Sequence, residues 1–269
     1  MINSKYLNKG ALDDLKDGLF TWHLWFRMAT LDIRRRYRRT VFGPFWTSLS
    51  MAIFIFSMGF VFAALWDMDV KTYIPYLTSG FIAWMPLNSV IMESTNGLVT
   101  ANGIVNQVRM PYTVFAANIV ARNAMVMGHH MLVYLLVVLV FTVDVNGAQL
   151  LAIPAVFLFC INGIWISLLL GMLCARFRDV TPLLGNILQI MMFITPIFWP
   201  PEQLGNRPIA SLLVDFNVMY HFVNIFRAPL LGQVPALLSY LVVLGVTVGG
   251  WIATIVIFSR YRHRIIYWL

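Results

Sequence analysis

Charged residues are scarce in this sequence. Only 11% of its 269 residues are Asp, Glu, Lys or Arg and 60% are hydrophobic, whereas a soluble domain carries about 25% charged residues. These values exclude an ordinary soluble domain and indicate an integral membrane protein. The net charge of +8 does not indicate nucleic acid as a partner, because the basic residues lie in short segments beside apolar runs.

Motifs for catalysis and metal binding are also missing. The sequence contains no GxxxxGK[ST] phosphate loop, no HExxH and no CxxC. Its two cysteines, Cys160 and Cys174, lie in one apolar segment; on one helix they would be about 21 Å apart, too far to bridge or share a metal. We therefore expect no catalytic residue, no metal site and no cofactor bound by this chain itself.

What the sequence does contain is apolar runs long enough to cross a bilayer, which takes about 20 residues of helix. The pattern predicts an all-α membrane protein with six transmembrane helices. The predicted spans are residues 45–65, 74–92, 114–143, 150–175, 182–199 and 234–258.

Basic residues are distributed unevenly between the two sides of these spans. Fifteen Lys or Arg precede the first span, follow the last span, or lie in the connection between the second and third spans or between the fourth and fifth spans. The connections on the opposite side have only Lys71, Arg207 and Arg227. The side of a membrane protein that is richer in basic residues is the cytoplasmic one. Both termini are therefore predicted to be cytoplasmic.

Residues 19–39 are predicted to form an amphipathic interface helix before the first span. Trp22, Phe26, Ala29 and Ile33 recur at helical spacing, and the segment ends in a cluster of basic residues. Such a helix lies in the headgroup layer with its basic residues on lipid phosphates. Either the cluster only anchors the cytoplasmic side, or it also binds an anionic lipid-linked substrate or a partner subunit. The cluster comprises Arg34, Arg35, Arg36, Arg38 and Arg39.

Two cytoplasmic connections carry possible docking elements. Residues 97–111 are too polar to span the membrane, yet Leu98, Ile104 and Val105 recur at loosely helical spacing. A short helix with an apolar stripe is a common docking element; the alternative is an ordinary loop that caps the bundle. The second connection, RFRDV at residues 176–180, is predicted to be a tight turn.

The outer segment 200–232 is too apolar for a solvated loop and too interrupted for further spans. Re-entrant or interfacial half-helices fit such a segment when they are buried in protein or line a wet cavity. We expect the mouth of a cavity on the outer face here.

The third span carries polar residues, which in a membrane are candidates for function. Arg122, Asn123 and His129 are the strongest of these. They either form the polar wall of a water-filled path, or satisfy one another and reach toward the cytoplasmic interface.

Aromatic residues make up 14% of the chain, and several fall toward the outer half. Aromatic faces suit a sugar chain that must slide without a tight site, but a membrane-interface belt explains the same residues. The candidates for a glycan path are Tyr76, Trp84, Phe198, Trp199, Tyr220 and Phe222.

Four motifs in order give the chain a resemblance over essentially its whole length. They are RYRRTVFGPFW at 36–46, RFRDV at 176–180, NVMYHFVNIFRAPLLG at 217–232 and FSRYRHRIIYWL at 258–269. The chain resembles the permease subunit of type-2 ABC exporters of polysaccharide, closest to O-antigen exporters, with capsule and teichoic acid exporters next. One departure is Asn217-Val218, where that family usually has Asn-Pro.

The resemblance implies a homodimer of permeases with two copies of a separate subunit that binds ATP and Mg²⁺. The transported substrate would be a lipid-pyrophosphate-linked polysaccharide, received by the arginine cluster and guided outward by the aromatic residues. It also implies that residues 97–111 are the coupling helix, that the outer segment 200–232 is a periplasmic gate region, and that the chain lies in the bacterial inner membrane. The residues for coupling to the ATPase would be Leu98, Ile104, Val105, Arg109, Arg176, Arg178 and Asp179.

Two alternatives remain open at this level. The chain could be an ion- or proton-coupled secondary transporter that uses the polar third span and needs no ATPase. It could also be an ABC permease for a drug or a lipid.

Overall fold

The computed structural model describes residues 10–108, 110–141, 143–204 and 213–269, and within these ranges its regular elements are helices without strands. The α-helices are α1 Ala11–Phe20, α2 Trp22–Arg36, α3 Phe45–Leu65, α4 Val70–Thr100, α5 Asn102–Gln107, α6 Tyr112–Phe141, α7 Ala152–Arg176, α8 Val180–Ile194, α9 Val218–Leu230, α10 Leu237–Tyr261 and α11 Ile265–Trp268. The expected all-α class is confirmed.

Four helical stretches in the described ranges are long and apolar enough to cross a membrane. They are Phe45–Leu65, Tyr112–Phe141, Gly147–Arg176 and Leu237–Trp268. The predicted spans 74–92 and 182–199 fall in α4 and α8, which this criterion of length and composition does not select.

Helix α4 occupies the centre of the bundle, where it packs against α3, α6, α7, α8 and α9. Its polar residues lower its mean hydropathy, but they are satisfied inside the protein. Thr78 donates to the carbonyl of Ile74 and Ser79 donates to that of Tyr76, and all four residues belong to α4. An enclosed helix does not need the uniformly apolar surface of a lipid-facing one.

The N-terminal segment differs from the single helix predicted over residues 19–39. It is divided at Thr21, whose backbone N–H and side-chain hydroxyl donate to the carbonyl of Asp17 and whose ψ of 46° departs from helical backbone. Helix α2 then ends at Arg36, because Arg39 adopts a positive φ of 73° in the following turn. Of the predicted apolar face, Ala29 and Ile33 are buried, while Trp22 and Phe26 are exposed.

The other predicted segments also differ in their bounds. The span 182–199 stops being helical at Thr195, before Pro196, and the chain that follows is held to α4 by the Tyr73 hydroxyl, which donates to the carbonyl of Phe198. The coupling segment 97–111 is divided between the end of α4 and the separate short helix α5. In the outer segment 200–232, the described regular elements are a 3₁₀ turn at Pro201–Leu204 and α9, and residues 205–212 lie outside the described ranges.

Of the hydrophobic clusters among the described residues, the two largest organise the bundle. The larger one joins α3, α4, α6, α7 and α9. The smaller one lies at the end of the bundle predicted to be cytoplasmic, and it includes Ala11 of α1, Val105 of α5 and Ile265 of α11. The short helices at this end are therefore packed onto the bundle rather than standing apart from it.

Candidate functional site

A cavity of about 640 Å³ lies at the end of the bundle predicted to be cytoplasmic, among α2, α4, α5 and α6. Residues Asn96, Gly97, Thr100, Ala101 and Ile104, from the end of α4 through α5, form part of its wall. The other side is polar. We call the whole cavity the charged cavity. Its polar side consists of Asp32, Arg35, Arg36, Glu93, Asn118 and Arg122.

Arg122 is the centre of the ion pairs in this cavity. Its Nη1 donates to Asp32 Oδ2 at 2.7 Å, and its Nη2 and Nε donate to Glu93 Oε2 at 2.7 and 3.3 Å. Asn118 adds a hydrogen bond to Asp32 at 3.1 Å, and Asn123 adds one to Glu93 at 2.7 Å. One guanidinium of α6 thus joins carboxylates from α2 and α4.

Glu93 also binds the interface helix through its second oxygen. Arg36 Nη2 donates to Glu93 Oε1 at 3.0 Å. Partial burial disfavours the charged form of Arg36, but the hydrogen bond and the charge of Glu93 outweigh burial and raise the pKa of this guanidinium. Arg36 therefore stays charged at any physiological pH.

The arginine cluster is exposed as a group, but its members differ in position. Arg35 and Arg36 line the charged cavity, whereas Arg34, Arg38 and Arg39 are exposed and lie outside its lining. The cluster therefore combines an exposed basic surface with two arginines that point into a defined cavity. Its binding role stays a prediction.

The polar residues predicted in the third span do not form one group. Arg122 and Asn123 belong to the network around Glu93, whereas His129 bonds through Nδ1 to the carbonyl of Met125 and packs its ring against Phe45 at 5.7 Å. Arg122 is satisfied by acids of other helices rather than by polar neighbours in its own span. No sequence motif indicated Asp32; its only signal is that it is the single acid in α2.

The predicted coupling residues have different environments. Leu98 and Val105 are buried in the smaller hydrophobic cluster, and Ile104 is exposed. In the 176–180 turn, Arg176 stacks on Phe177 and Trp268, and Arg178 and Asp179 are exposed. Arg109 lies outside the described residues.

The aromatic candidates divide into two sets. Trp84, Phe198 and Phe222 are buried in the larger hydrophobic cluster, and Tyr76, Trp199 and Tyr220 are partly exposed. In this conformation the buried three pack within the chain. Their contact with a glycan stays a prediction.

A second polar site, which the sequence did not indicate, joins the outer segment to α4. The Arg227 guanidinium of α9 lies over the Tyr76 ring at 4.1 Å, and its Nη1 donates to the Tyr76 hydroxyl at 2.7 Å and to the carbonyl of Pro196. The Tyr76 hydroxyl donates in turn to the Pro196 carbonyl at 2.9 Å. The site connects α9, α4 and the segment after α8.

Comparison with known proteins gives consistent matches. The model of the ABC-2 type transporter family matches residues 23–231. An O-antigen export system permease protein RfbA of Klebsiella pneumoniae is 25% identical over 246 residues, which cover 87% of this chain and 90% of the relative. A protein of the same name from Myxococcus xanthus is 18% identical over 209 residues, covering 76% of this chain and 79% of the relative. A second Klebsiella pneumoniae protein of that name is 23% identical over 207 residues, covering 70% and 76%.

Proposed function

Because the chain belongs to the ABC-2 type transporter family, we propose that it is the membrane-spanning permease subunit of an ATP-driven exporter of lipid-pyrophosphate-linked polysaccharide. The substrate class is O-antigen, moved across the inner membrane to the periplasmic side. The observation that carries this proposal is the near full-length similarity to a relative named as an O-antigen export permease.

ATP hydrolysis belongs to a separate subunit in this proposal. The sequence has no phosphate loop, so the chain contributes transport and not catalysis. Two permeases form a homodimer with two ATP-binding subunits, which contact α5 and the 176–180 turn. The exposed Ile104, Arg178 and Asp179 are available for this contact.

Six spans follow if α4 and α8 cross the membrane with the four apolar stretches. Helix α4 is enclosed by other helices, which supports a spanning position despite its polar residues. Helix α8 has 15 residues, about 22 Å of helix against a hydrocarbon core of about 30 Å. The segment after Thr195, bound to Tyr73 and Tyr76, completes the crossing within protein.

The charged cavity and the arginine cluster receive the pyrophosphate of the substrate. Guanidinium groups bind phosphate oxygens in a planar, two-bond geometry, and basic residues near an anionic membrane surface each contribute about 1 kcal/mol. Arg35 and Arg36 in the cavity wall and the exposed Arg34 beside them supply both effects. The glycan then follows the partly exposed aromatic residues Tyr76, Trp199 and Tyr220, with Trp84, Phe198 and Phe222 uncovered if the outer segment moves.

The test replaces Arg34, Arg35 and Arg38 together with Gln. We expect the protein to insert normally and surface polysaccharide to fall strongly, because the substrate loses its phosphate contacts. A matched triple variant, Lys16→Gln, Arg27→Gln and Arg260→Gln, removes the same charge from the same predicted side of the membrane and should export normally. Normal surface polysaccharide in the cluster variant removes substrate binding from its role.

A further inference from the structure

Glu93 occupies a site built for an anion. Its carboxylate accepts hydrogen bonds from four N–H groups: Arg122 Nε and Nη2, Arg36 Nη2 and Asn123 Nδ2, at 2.7–3.3 Å. These donors come from α2 and α6, and they converge on a side chain of α4 that is 22% exposed. A phosphate group needs the same arrangement of guanidinium and amide donors.

The two sides of this site hold Glu93 unequally. Arg122 gives it two hydrogen bonds and is 14% exposed, whereas Arg36 gives it one and is 52% exposed. Exposed ion pairs are weak, and partly buried ones resist competition better. An incoming anion therefore displaces Glu93 from Arg36 before it affects Arg122.

The charge of the cavity favours this exchange. Three arginines, Arg35, Arg36 and Arg122, face the two carboxylates Asp32 and Glu93, which leaves one net positive charge. When Glu93 releases Arg36 and stays on Arg122, Arg35 and Arg36 both present an unpaired positive charge to a diphosphate.

Glu93 is also placed to report the exchange to the rest of the chain. It lies about two helical turns before the end of α4, and the residues from there to Ile104 of α5 form the same cavity wall. Releasing Arg36 from Glu93 removes the direct ion pair between the interface helix α2 and α4, the helix that continues toward α5, and leaves α2 joined to α4 through Arg122.

We propose that Glu93 is an internal anion that holds Arg36 in the empty permease, and that a phosphate group of a lipid-linked diphosphate takes its place on Arg35 and Arg36. Glu93 is thereby a positioning residue: its exchange links arrival of the substrate to movement of α4 and α5. This inference rests on the proposed function, since it takes the substrate to be a lipid diphosphate.

The experiment measures the affinity of the whole transporter, permease with its ATP-binding subunit, for farnesyl diphosphate in nanodiscs of neutral lipid. Glu93→Gln should lower the Kd at least about 5-fold, because the competing carboxylate is gone, and Arg36→Gln should raise it by a similar factor. Asp32→Asn is the matched control. It removes the same charge from the same cavity but leaves Glu93 on Arg36, so the added positive charge alone should lower the Kd by less than about 2-fold, clearly less than the decrease in Glu93→Gln.

ATP hydrolysis provides the second readout. We expect the empty Glu93→Gln transporter to hydrolyse ATP at the rate that wild type reaches with farnesyl diphosphate, with no further stimulation. Asp32→Asn should keep its stimulation. If Glu93→Gln is not monodisperse, Glu93→Asp, which shortens the carboxylate and loosens Arg36 first, should show the same direction of change.

Two further arms identify the source of the anion. Inorganic pyrophosphate should compete with farnesyl diphosphate, because both present a diphosphate, and absence of competition overturns the exchange. Phosphatidylglycerol in the nanodisc should leave the difference between variants intact; if it abolishes the difference, the anion is a bulk lipid headgroup and the proposal is wrong.

An unchanged or higher Kd in Glu93→Gln, or an equal decrease in Asp32→Asn, overturns the exchange. That result leaves the proposed function standing, because export after replacement of Arg34, Arg35 and Arg38 does not depend on Glu93.

Discussion

Gly80 should be intolerant of even one methyl group, because of where Arg227 lies. A Cβ built at Gly80 in α4 would be 2.2 Å from Arg227 Nη2 and 3.1 Å from its Cζ. Arg227 is buried, with 4% of its surface exposed. Its position is fixed by the Tyr76 ring, the Tyr76 hydroxyl and the carbonyl of Pro196. Gly80→Ala must therefore displace a desolvated charged group.

The size of the effect follows from the contacts that are lost. Displacement breaks at least one hydrogen bond to a charged group, about 1.5–3 kcal/mol, and the stacking on Tyr76, about 0.5–2 kcal/mol. The higher helix propensity of alanine offsets about 1 kcal/mol of this loss, because glycine is less favourable in a helix. The net loss is about 1–4 kcal/mol, which corresponds to about 2–16 °C in melting temperature for a protein of this size.

The assay is thermal denaturation in detergent, followed by size-exclusion chromatography. The control is Gly245→Ala in α10, where a Cβ would meet no atom of the described chain within 4 Å. That variant should melt at the same temperature or a few degrees higher, because it gains only helix propensity. If Gly80→Ala melts as Gly245→Ala does, Arg227 does not hold α9 against α4 in the way described.

Two further perturbations test the ion pairs near the predicted cytoplasmic end. Arg122→Met should destabilise the protein by about 1–3 kcal/mol, which is less than for a fully buried pair because Asp32 is 33% exposed. Adding Asp32→Asn and Glu93→Gln to this variant should recover most of the lost stability. Strictly additive changes in melting temperature would contradict the network. Asp14 is 2% exposed and accepts hydrogen bonds from Tyr112, Thr113 and Arg262. Asp14→Asn should destabilise the protein by about 2–4 kcal/mol. Local unfolding of α1 and α2 should then speed trypsin cleavage at Lys16 and Arg27, which are exposed but helical. Asp13→Asn on the exposed face of α1 should not change the rate, and equal cleavage rates in the two variants would be the contrary result.

The sequence predicted the helices where the apolar pattern was continuous. Residues 45–65 match α3, because an uninterrupted apolar run is bounded by the Gly43-Pro44 turn and by Asp67 with its positive φ. The pattern could not place the break at Thr21, since only the backbone angle of that one residue departs from a helix within a continuous helical periodicity.

The candidate site was predictable only in part. Composition identified the arginine cluster and Arg122. Arg122, however, pairs with Asp32, which is 90 positions away in the sequence, and with Glu93, which is 29 positions away. No local sequence pattern indicates such a contact. The aromatic residues show the same limit. Periodicity does not distinguish Trp84, which is buried in the core, from Tyr76, which is partly exposed.

Transport in reconstituted vesicles tests the central claim most directly. The permease is reconstituted alone or with its ATP-binding subunit, and transfer of a fluorescent lipid-linked glycan is read by the access of a membrane-impermeant lectin to the sugar. We expect transfer only with both subunits and ATP, and none with the permease alone under an ion or proton gradient. Transfer at full rate by the permease alone would contradict its assignment as a subunit of an ATP-driven exporter.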